Sequence, residues 1–197
     1  MEFNVRVFGD LKSGNCLKVK WTADYLGLAY EWIEVDVMQA ETRAPAFLAM
    51  NPAGQVPTVV LNNGRYLAQS NAIILHLAEG SHLIPEDAYD RSRMLEWLFW
   101  EQYSHEIYIA VRRYQMMILG KKPAELDPKL EERGLLALAH MEGALAASPY
   151  LVGFDPSLAD IALVAYTRVA PEGGFDLAPY PRIRAWISQM ERMLRIG

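Results

Sequence analysis

The sequence predicts two parts of different class: an α/β domain over residues 1–80, then an all-helical domain over residues 88–197. Three observations carry this. Strand-period and helix-period segments alternate as far as residue 79. An Asn-Gly pair stands between two short apolar runs near residue 63, a strong hairpin signal. Beyond residue 80 apolar residues recur at spacings of three and four, and no strand pattern of comparable quality returns.

Each element follows in order. Phe3, Val5 and Val7 alternate with Asn4, Arg6 and Phe8, which reads as a first strand. Residues 10–15 are polar and contain Gly14, so they form a loop. Residues 16–26 read as a helix with Val19, Ala23 and Leu26 on one face, and Gly27 is placed to end it in a left-handed turn. Ile33, Val35 and Val37 alternate with Glu34 and Asp36 as a second strand. A short helical piece over residues 45–50 stops at Asn51-Pro52. Two strands joined by a crossover helix imply a parallel pair. Residues 56–61 form a strand with Pro57 at its start, Asn62-Asn63-Gly64 turns the chain, and residues 66–68 return it. Ser70 is placed to cap a helix through Ala78, with Ile73, Ile74 and Leu77 inward.

Residues 80–87 are a linker with Gly80, Ser81 and Pro85. A seam of Trp100, Tyr103, Ile107, Ala110, Val111, Tyr114 and Ile118 predicts one long helix over residues 89–119, with the seam as core, closed by Gly120 and Pro123. Three more helices follow. Leu130, Gly134, Ala137, Leu138, Met141 and Leu145 mark the first. Leu158, Ile161, Ala162, Ala165 and Val169 mark the second, and Ile183, Trp186, Ile187, Met190 and Leu194 the third. An α/β part of this size is marginal alone and is expected to need the helical part against it.

Composition excludes several classes of function. Hydrophobic residues make up 52% of the chain and the formal net charge is −5, which excludes a mostly disordered chain. The acidic balance argues against nucleic acid as a partner. One cysteine, Cys16, excludes an internal disulfide, a dithiol redox motif and a multi-thiolate zinc site. The four histidines have no metal-ligand spacing, so no metal is expected. No stretch approaches the roughly 18 apolar residues of a membrane span, and no basic start leads into an apolar run. The expected setting is a reducing cytoplasm.

Four local features can carry chemistry. Ser13-Gly14-Asn15-Cys16 puts a hydroxyl, an amide and a thiol where a strand's carboxyl end meets a helix N-terminus, the usual ligand edge of an α/β sheet. Taken singly these residues also read as helix caps and a small core residue. In residues 51–57 two prolines flank Gly54 and Gln55, and a cis Val56–Pro57 bond is one way to offer the Val56 backbone to an extended peptide. Bare statistics favour the trans form. Gln69-Ser70 opens a helix whose unpaired N–H groups suit an anion, or Ser70 is a plain cap. Ser157-Leu158-Ala159-Asp160 fits a capping box, which favours a structural role for Asp160.

Together these features fall in a known order. Over essentially its whole length the chain resembles the cytosolic glutathione transferase superfamily. The likeness is carried by Ser13 to Cys16, by residues 47–57 (FLAMNPAGQVP), by residues 67–77 (LAQSNAIILHL) and by residues 157–160 (SLAD). It implies a thioredoxin-like N-terminal domain with a cis Pro57, a helical C-terminal domain and a homodimer. It implies glutathione as co-substrate, with Val56 pairing the cysteinyl backbone, Gln69 and Ser70 holding the γ-glutamyl end, and Arg43 and Gln55 at the glycine carboxylate. Tyr103, Tyr108 and Arg112 become candidates for the second-substrate pocket. With no tyrosine in the first loop, the resemblance is to serine- or cysteine-type members, theta-, zeta- or beta-like. Ser13 ranks first as the catalytic residue, Cys16 second, and Asn15 is auxiliary. The implied function is thiolate attack on a small hydrophobic electrophile. The alternatives are a monothiol redox enzyme using Cys16 and a non-catalytic glutathione-binding module.

Overall fold

A computed structural model describes residues 5–196. The chain divides into two compact units, Met1–Ser81 and His82–Gly197.

The first unit is a four-stranded mixed sheet with helices: β1 (Val5–Gly9), α1 (Gly14–Tyr25), β2 (Tyr30–Glu34), α2 (Pro45–Met50), β3 (Thr58–Val60), β4 (Tyr66–Ala68) and α3 (Ser70–Leu77). Strand order is β2-β1-β3-β4, with β1 parallel to β2 and the other pairs antiparallel. The crossover helix accounts for the parallel pair, and the Asn63-Gly64 turn for the β3–β4 hairpin. Val7, Val59, Ile73 and Ile74 are wholly buried, and α1 packs against α3.

Two expectations need correction here, and part of a third cannot be compared. Phe3 and Asn4 of the expected first strand lie outside the described residues. The second strand runs over Tyr30–Glu34, ahead of the Ile33-Val35-Val37 alternation. Its register is set by β1, Val5 opposite Tyr30 and Gly9 opposite Glu34, and Trp32 packs over Gly9, where a Cβ would lie 2.5 Å from the indole. Beyond Val35 the chain is already turning: Asp36 Oδ1 accepts the N–H groups of Met38 and Gln39, which leaves Val37 exposed. Ser70 is the first residue of α3 and not its cap; Gln69 occupies the cap position.

The second unit is helical: α4 (Ala88–Trp100), a π turn (Glu101–His105), α5 (Glu106–Met117), α6 (Pro128–Ala144), α7 (Leu158–Thr167) and α8 (Pro181–Leu194), with short 3₁₀ turns between. Asp87 caps α4 by accepting from Tyr89 and Asp90 N–H. Every residue of α7 is buried, and α4, α5 and α8 pack on it. No helix among the described residues is long and apolar enough to cross a membrane.

The long helix is present but turned from its expected face. Its buried side carries Glu101, His105, Ile109 and Arg112, while Tyr103, Ile107, Val111, Tyr114 and Ile118 are exposed. The predicted core seam is thus an apolar surface stripe. The π turn advances the register by a residue, and the buried face is polar at three of those four positions, so hydrophobic periodicity pointed to the wrong side.

The capping box is present in full and reaches further than a cap. Asp160 Oδ2 accepts from Ser157 N–H and Oγ, and its Oδ1 accepts from Leu151 N–H and from Trp186 Nε1 at 2.9 Å. One buried carboxylate therefore joins α7, the preceding loop and α8. Asp160→Ala strands three buried N–H donors, so it is expected to lower unfolding free energy by at least about 3 kcal/mol. Chemical denaturation measures it, and a loss under about 1 kcal/mol contradicts this account.

Candidate active site

The candidate residues of the first unit come from three loops that leave the sheet at one end. Phe8 lies opposite Thr58, and Thr58 opposite Ala68. The chain leaves β1 at Gly9 for Ser13, enters β3 from Val56-Pro57 and leaves β4 at Ala68 for Gln69. With strands about 4.8 Å apart, these three exits fall within roughly 10 Å.

The first loop is shaped by Asp10, whose carboxylate accepts Lys12 N–H at 2.8 Å and whose carbonyl accepts Ser13 N–H at 2.9 Å. Ser13 stands in the cap position of α1 but makes no side-chain cap. Its hydroxyl hydrogen-bonds the sulfur of Cys16 instead. Asn15, in the first turn of α1, accepts through Oδ1 from Ser70 Oγ at 2.9 Å and from Lys18 Nζ at 2.7 Å. One amide oxygen thus ties the start of α1 to the start of α3.

The second loop is held from beneath. Asn51 is buried; its Nδ2 donates to Gln55 O at 2.9 Å and to Thr58 Oγ1 at 3.1 Å, while its Oδ1 accepts from Ala53 N–H. Thr58 Oγ1 also donates to Gln55 O. These bonds fix the backbone on both sides of Val56-Pro57, whose peptide bond is cis. Gly54 has φ +60°, and a Cβ there would meet Arg43 Nη1 at 2.5 Å. The positive φ favours a glycine at this turn, and the Arg43 guanidinium lies across it. Arg43 Nη1 donates to Ala53 O at 3.4 Å, which puts an exposed cation beside Gln55.

The third loop carries backbone strain. Gln69 has φ +71° and ψ +111°, a region that costs a non-glycine residue about 1–3 kcal/mol. The strained turn swings the chain from β4 directly into α3, opening the N–H groups of its first turn at the end of the sheet.

Cys16 does not fit its expected role as a nucleophile. It is fully buried, accepts Asp10 N–H at 3.4 Å, and desolvation pushes its thiol up to about 11 despite hydrogen bonds that favour the thiolate. About one molecule in ten thousand is then thiolate at pH 7. Arg112 likewise leaves the pocket candidates. It is buried within the helical unit, with Nε donating to Gly173 O at 2.7 Å, Nη2 paired to Glu131 at 3.0 Å, and the guanidinium over the Phe175 ring. Tyr103 is 80% exposed and Tyr108 half-buried, both on the long helix.

Sequence reasoning missed Lys18, Asn51 and Thr58. A lysine in a short helix reads as a solvated side chain, and nothing local announces that Lys18 is wholly buried. Asn51 did carry a signal, since an asparagine that ends a helix before a proline often bonds the following backbone.

Two family models match the chain. One, "Glutathione S-transferase, N-terminal domain", covers residues 4–79, and the other, "Glutathione S-transferase, C-terminal domain", covers residues 98–193. Glutathione S-transferase F9 of Arabidopsis thaliana is 32% identical over 173 residues, 81% of this chain and 80% of that protein. A crystal structure of a glutathione S-transferase from Pseudomonas fluorescens superposes with a TM-score of 0.92 at 48% identity, covering 95% of this chain and 94% of that one. Ure2p in complex with glutathione superposes at 0.89 with 25% identity, covering 98% and 96%.

The burial of Cys16 has a direct readout. At pH 7 it is expected to react with a soluble alkylating reagent at least about a hundredfold more slowly in the folded chain than in denaturant. Mass spectrometry of this single-cysteine chain follows the reaction, and comparable rates would show that the thiol is accessible.

Proposed function

Since the chain belongs to the glutathione S-transferase family, we propose that it binds glutathione across the three converging loops and activates its thiol for attack on a small hydrophobic electrophile. The observation that carries this is the junction of those loops, where the Asn15–Ser70 hydrogen bond joins two helix starts beside the Arg43-covered turn.

The groups present suit the chemistry of glutathione. Arg43, with Gln55 next to the loop it covers, supplies a cation for the glycine carboxylate. The Val56 backbone pairs the cysteinyl amide as an added strand does. The first turn of α3, entered through Gln69, supplies N–H groups and the positive end of a helix to the γ-glutamyl carboxylate. The Ser70 hydroxyl donates to Asn15, so its oxygen remains able to accept from the γ-glutamyl ammonium.

Activation needs a stabilised thiolate. A thiol of pKa about 8.5 is about 3% ionised at pH 7, and at about 6.5 it is roughly 75% ionised. That change corresponds to about 2.7 kcal/mol. One hydrogen bond to a charged group contributes roughly 1.5–3 kcal/mol, and a helix N-terminus adds about 0.3–1. Ser13 at the start of α1 can supply both, with Asn15 as auxiliary donor, so no general base is required. A serine at this position is in keeping with a theta- or zeta-like class for the chain. A monothiol route through Cys16 is disfavoured by the burial of that sulfur.

The helical unit supplies apolar surface for the second substrate. Tyr103, Ile107, Val111 and Tyr114 form an exposed stripe, with Tyr108 adjacent on the same helix. We propose Tyr103 and Tyr108 as second-substrate residues. We also propose a homodimer, supported by the exposed Tyr66 and Phe99 and read as a two-chain mass on sedimentation.

Two measurements test this reading. Calorimetric titration is expected to show glutathione binding, and its absence removes the proposal. Ser13→Ala is expected to lower conjugation of an aromatic electrophile by one to two decades, with glutathione affinity little changed. Wild-type turnover in that variant across pH removes Ser13 from the mechanism.

A further inference from the structure

Lys18 lies one turn after Asn15 on α1 and is wholly buried. A buried ammonium is unfavourable unless it is hydrogen-bonded. Its Nζ stands 2.7 Å from Asn15 Oδ1, the oxygen that also accepts from Ser70 Oγ at 2.9 Å. An ammonium only donates, so the Asn15 atom facing it must be the amide oxygen. That settles which arm of the carboxamide is which. Oδ1 faces Lys18 and Ser70, and Nδ2, the donor arm, lies on the other side. Asn15 itself is half-buried, in the first turn of the helix at the end of the sheet where the three loops meet.

The orientation matters because the two arms act oppositely on an anion. An NH₂ group stabilises a thiolate, and a carbonyl oxygen repels it. A side-chain amide without a donor-only neighbour can present either arm. We propose that Lys18 is a positioning residue for thiolate formation: its buried ammonium locks the Asn15 carboxamide so that Nδ2 serves the glutathione sulfur, and it binds Ser70 into the same network. The inference rests on the glutathione reading above and adds a residue to it. Lys18 acts through Asn15 and does not itself touch substrate. One hydrogen bond to a charged group corresponds to roughly ten- to hundredfold in an equilibrium, which sets the scale of the effect.

The test uses the full chain and reads three quantities at pH 7: the thiolate absorbance of bound glutathione, the affinity for S-methylglutathione, which has no ionisable thiol, and kcat with an aromatic electrophile. Lys18→Met, close in length and apolar, is expected to lower the thiolate fraction and kcat about tenfold while S-methylglutathione affinity changes less than threefold. On an Asn15→Ala background the same substitution is expected to cause no further loss, since the lysine acts through that amide. Asn15→Asp keeps an acceptor for both Lys18 and Ser70 but has no NH₂, so it is expected to lose at least tenfold in thiolate. An unchanged thiolate in that variant overturns the inference even where Lys18→Met does not fold. Unchanged thiolate in Lys18→Met or in Asn15→Asp overturns the inference. So do losses that add independently in the double variant, or a fall in S-methylglutathione affinity that matches the fall in kcat. A wild-type chain that binds neither glutathione nor S-methylglutathione overturns the glutathione reading itself, a result separate from the others.

Discussion

The register of the three antiparallel-paired strands is the constraint on which the site depends. Phe8, Thr58 and Ala68 stand in one row across β1, β3 and β4. Side chains alternate along a strand, so a slip of one residue would send every side chain to the opposite face. It would also move one loop along the sheet by about 3.3 Å relative to its neighbours. The Asn15–Ser70 bond at 2.9 Å leaves no room for such a shift. The bond and the register therefore support each other. The sheet brings the two helix starts together, and the bond holds the sheet's loops in register at their open end.

Buried polar groups recur wherever two segments must meet at one place. Asn51 joins the end of α2 to the start of β3, Asp160 joins α7 to α8, Arg112 joins the long helix to the turn at Gly173, and Lys18 joins Asn15 to the core. Apolar contacts at these positions would have packed as well but would have tolerated sliding. A hydrogen bond fixes a distance and a direction, and a buried partner left unmatched costs about 1–3 kcal/mol. Each such group is placed where an error of an ångström would displace a loop or a helix start.

This is also why the sequence was legible in some places and opaque in others. The hairpin at Asn63-Gly64, the crossover at α1 and the capping box at Ser157–Asp160 were readable because each is set by residues a few positions apart. The candidate loops at Ser13, Val56 and Gln69 could be found because glycine, proline and capping residues mark them locally. The long helix could be found but not oriented. Its inward face carries Glu101, His105 and Arg112; His105 pairs with Thr167 and Arg112 with Gly173, and such distant partners are invisible to a periodicity count. The same holds for β2, whose boundaries come from its pairing with β1 and not from its own alternation. Lys18 is the extreme case, a residue whose type predicts solvent and whose neighbours place it in the core.

Under the proposed function two sulfurs come to the start of α1, and the same helix end is suited to treat them in opposite ways. Cys16 sits behind the first turn, where the Asp10 N–H and the Ser13 hydroxyl favour its thiolate, yet desolvation outweighs both and holds the thiol near 11. The front of that turn is half-exposed, so a thiol brought there keeps part of its hydration while meeting the same class of donors. The balance between burial and hydrogen bonding, not the presence of a cysteine, decides which sulfur ionises. Because the Ser13 hydroxyl is a single donor, it can serve one sulfur at a time. Turning from Cys16 to a thiol at the front would withdraw a hydrogen bond from a sulfur that has almost no thiolate to lose. The buried cysteine thus offers the Ser13 hydroxyl a resting partner that a stronger acceptor readily displaces.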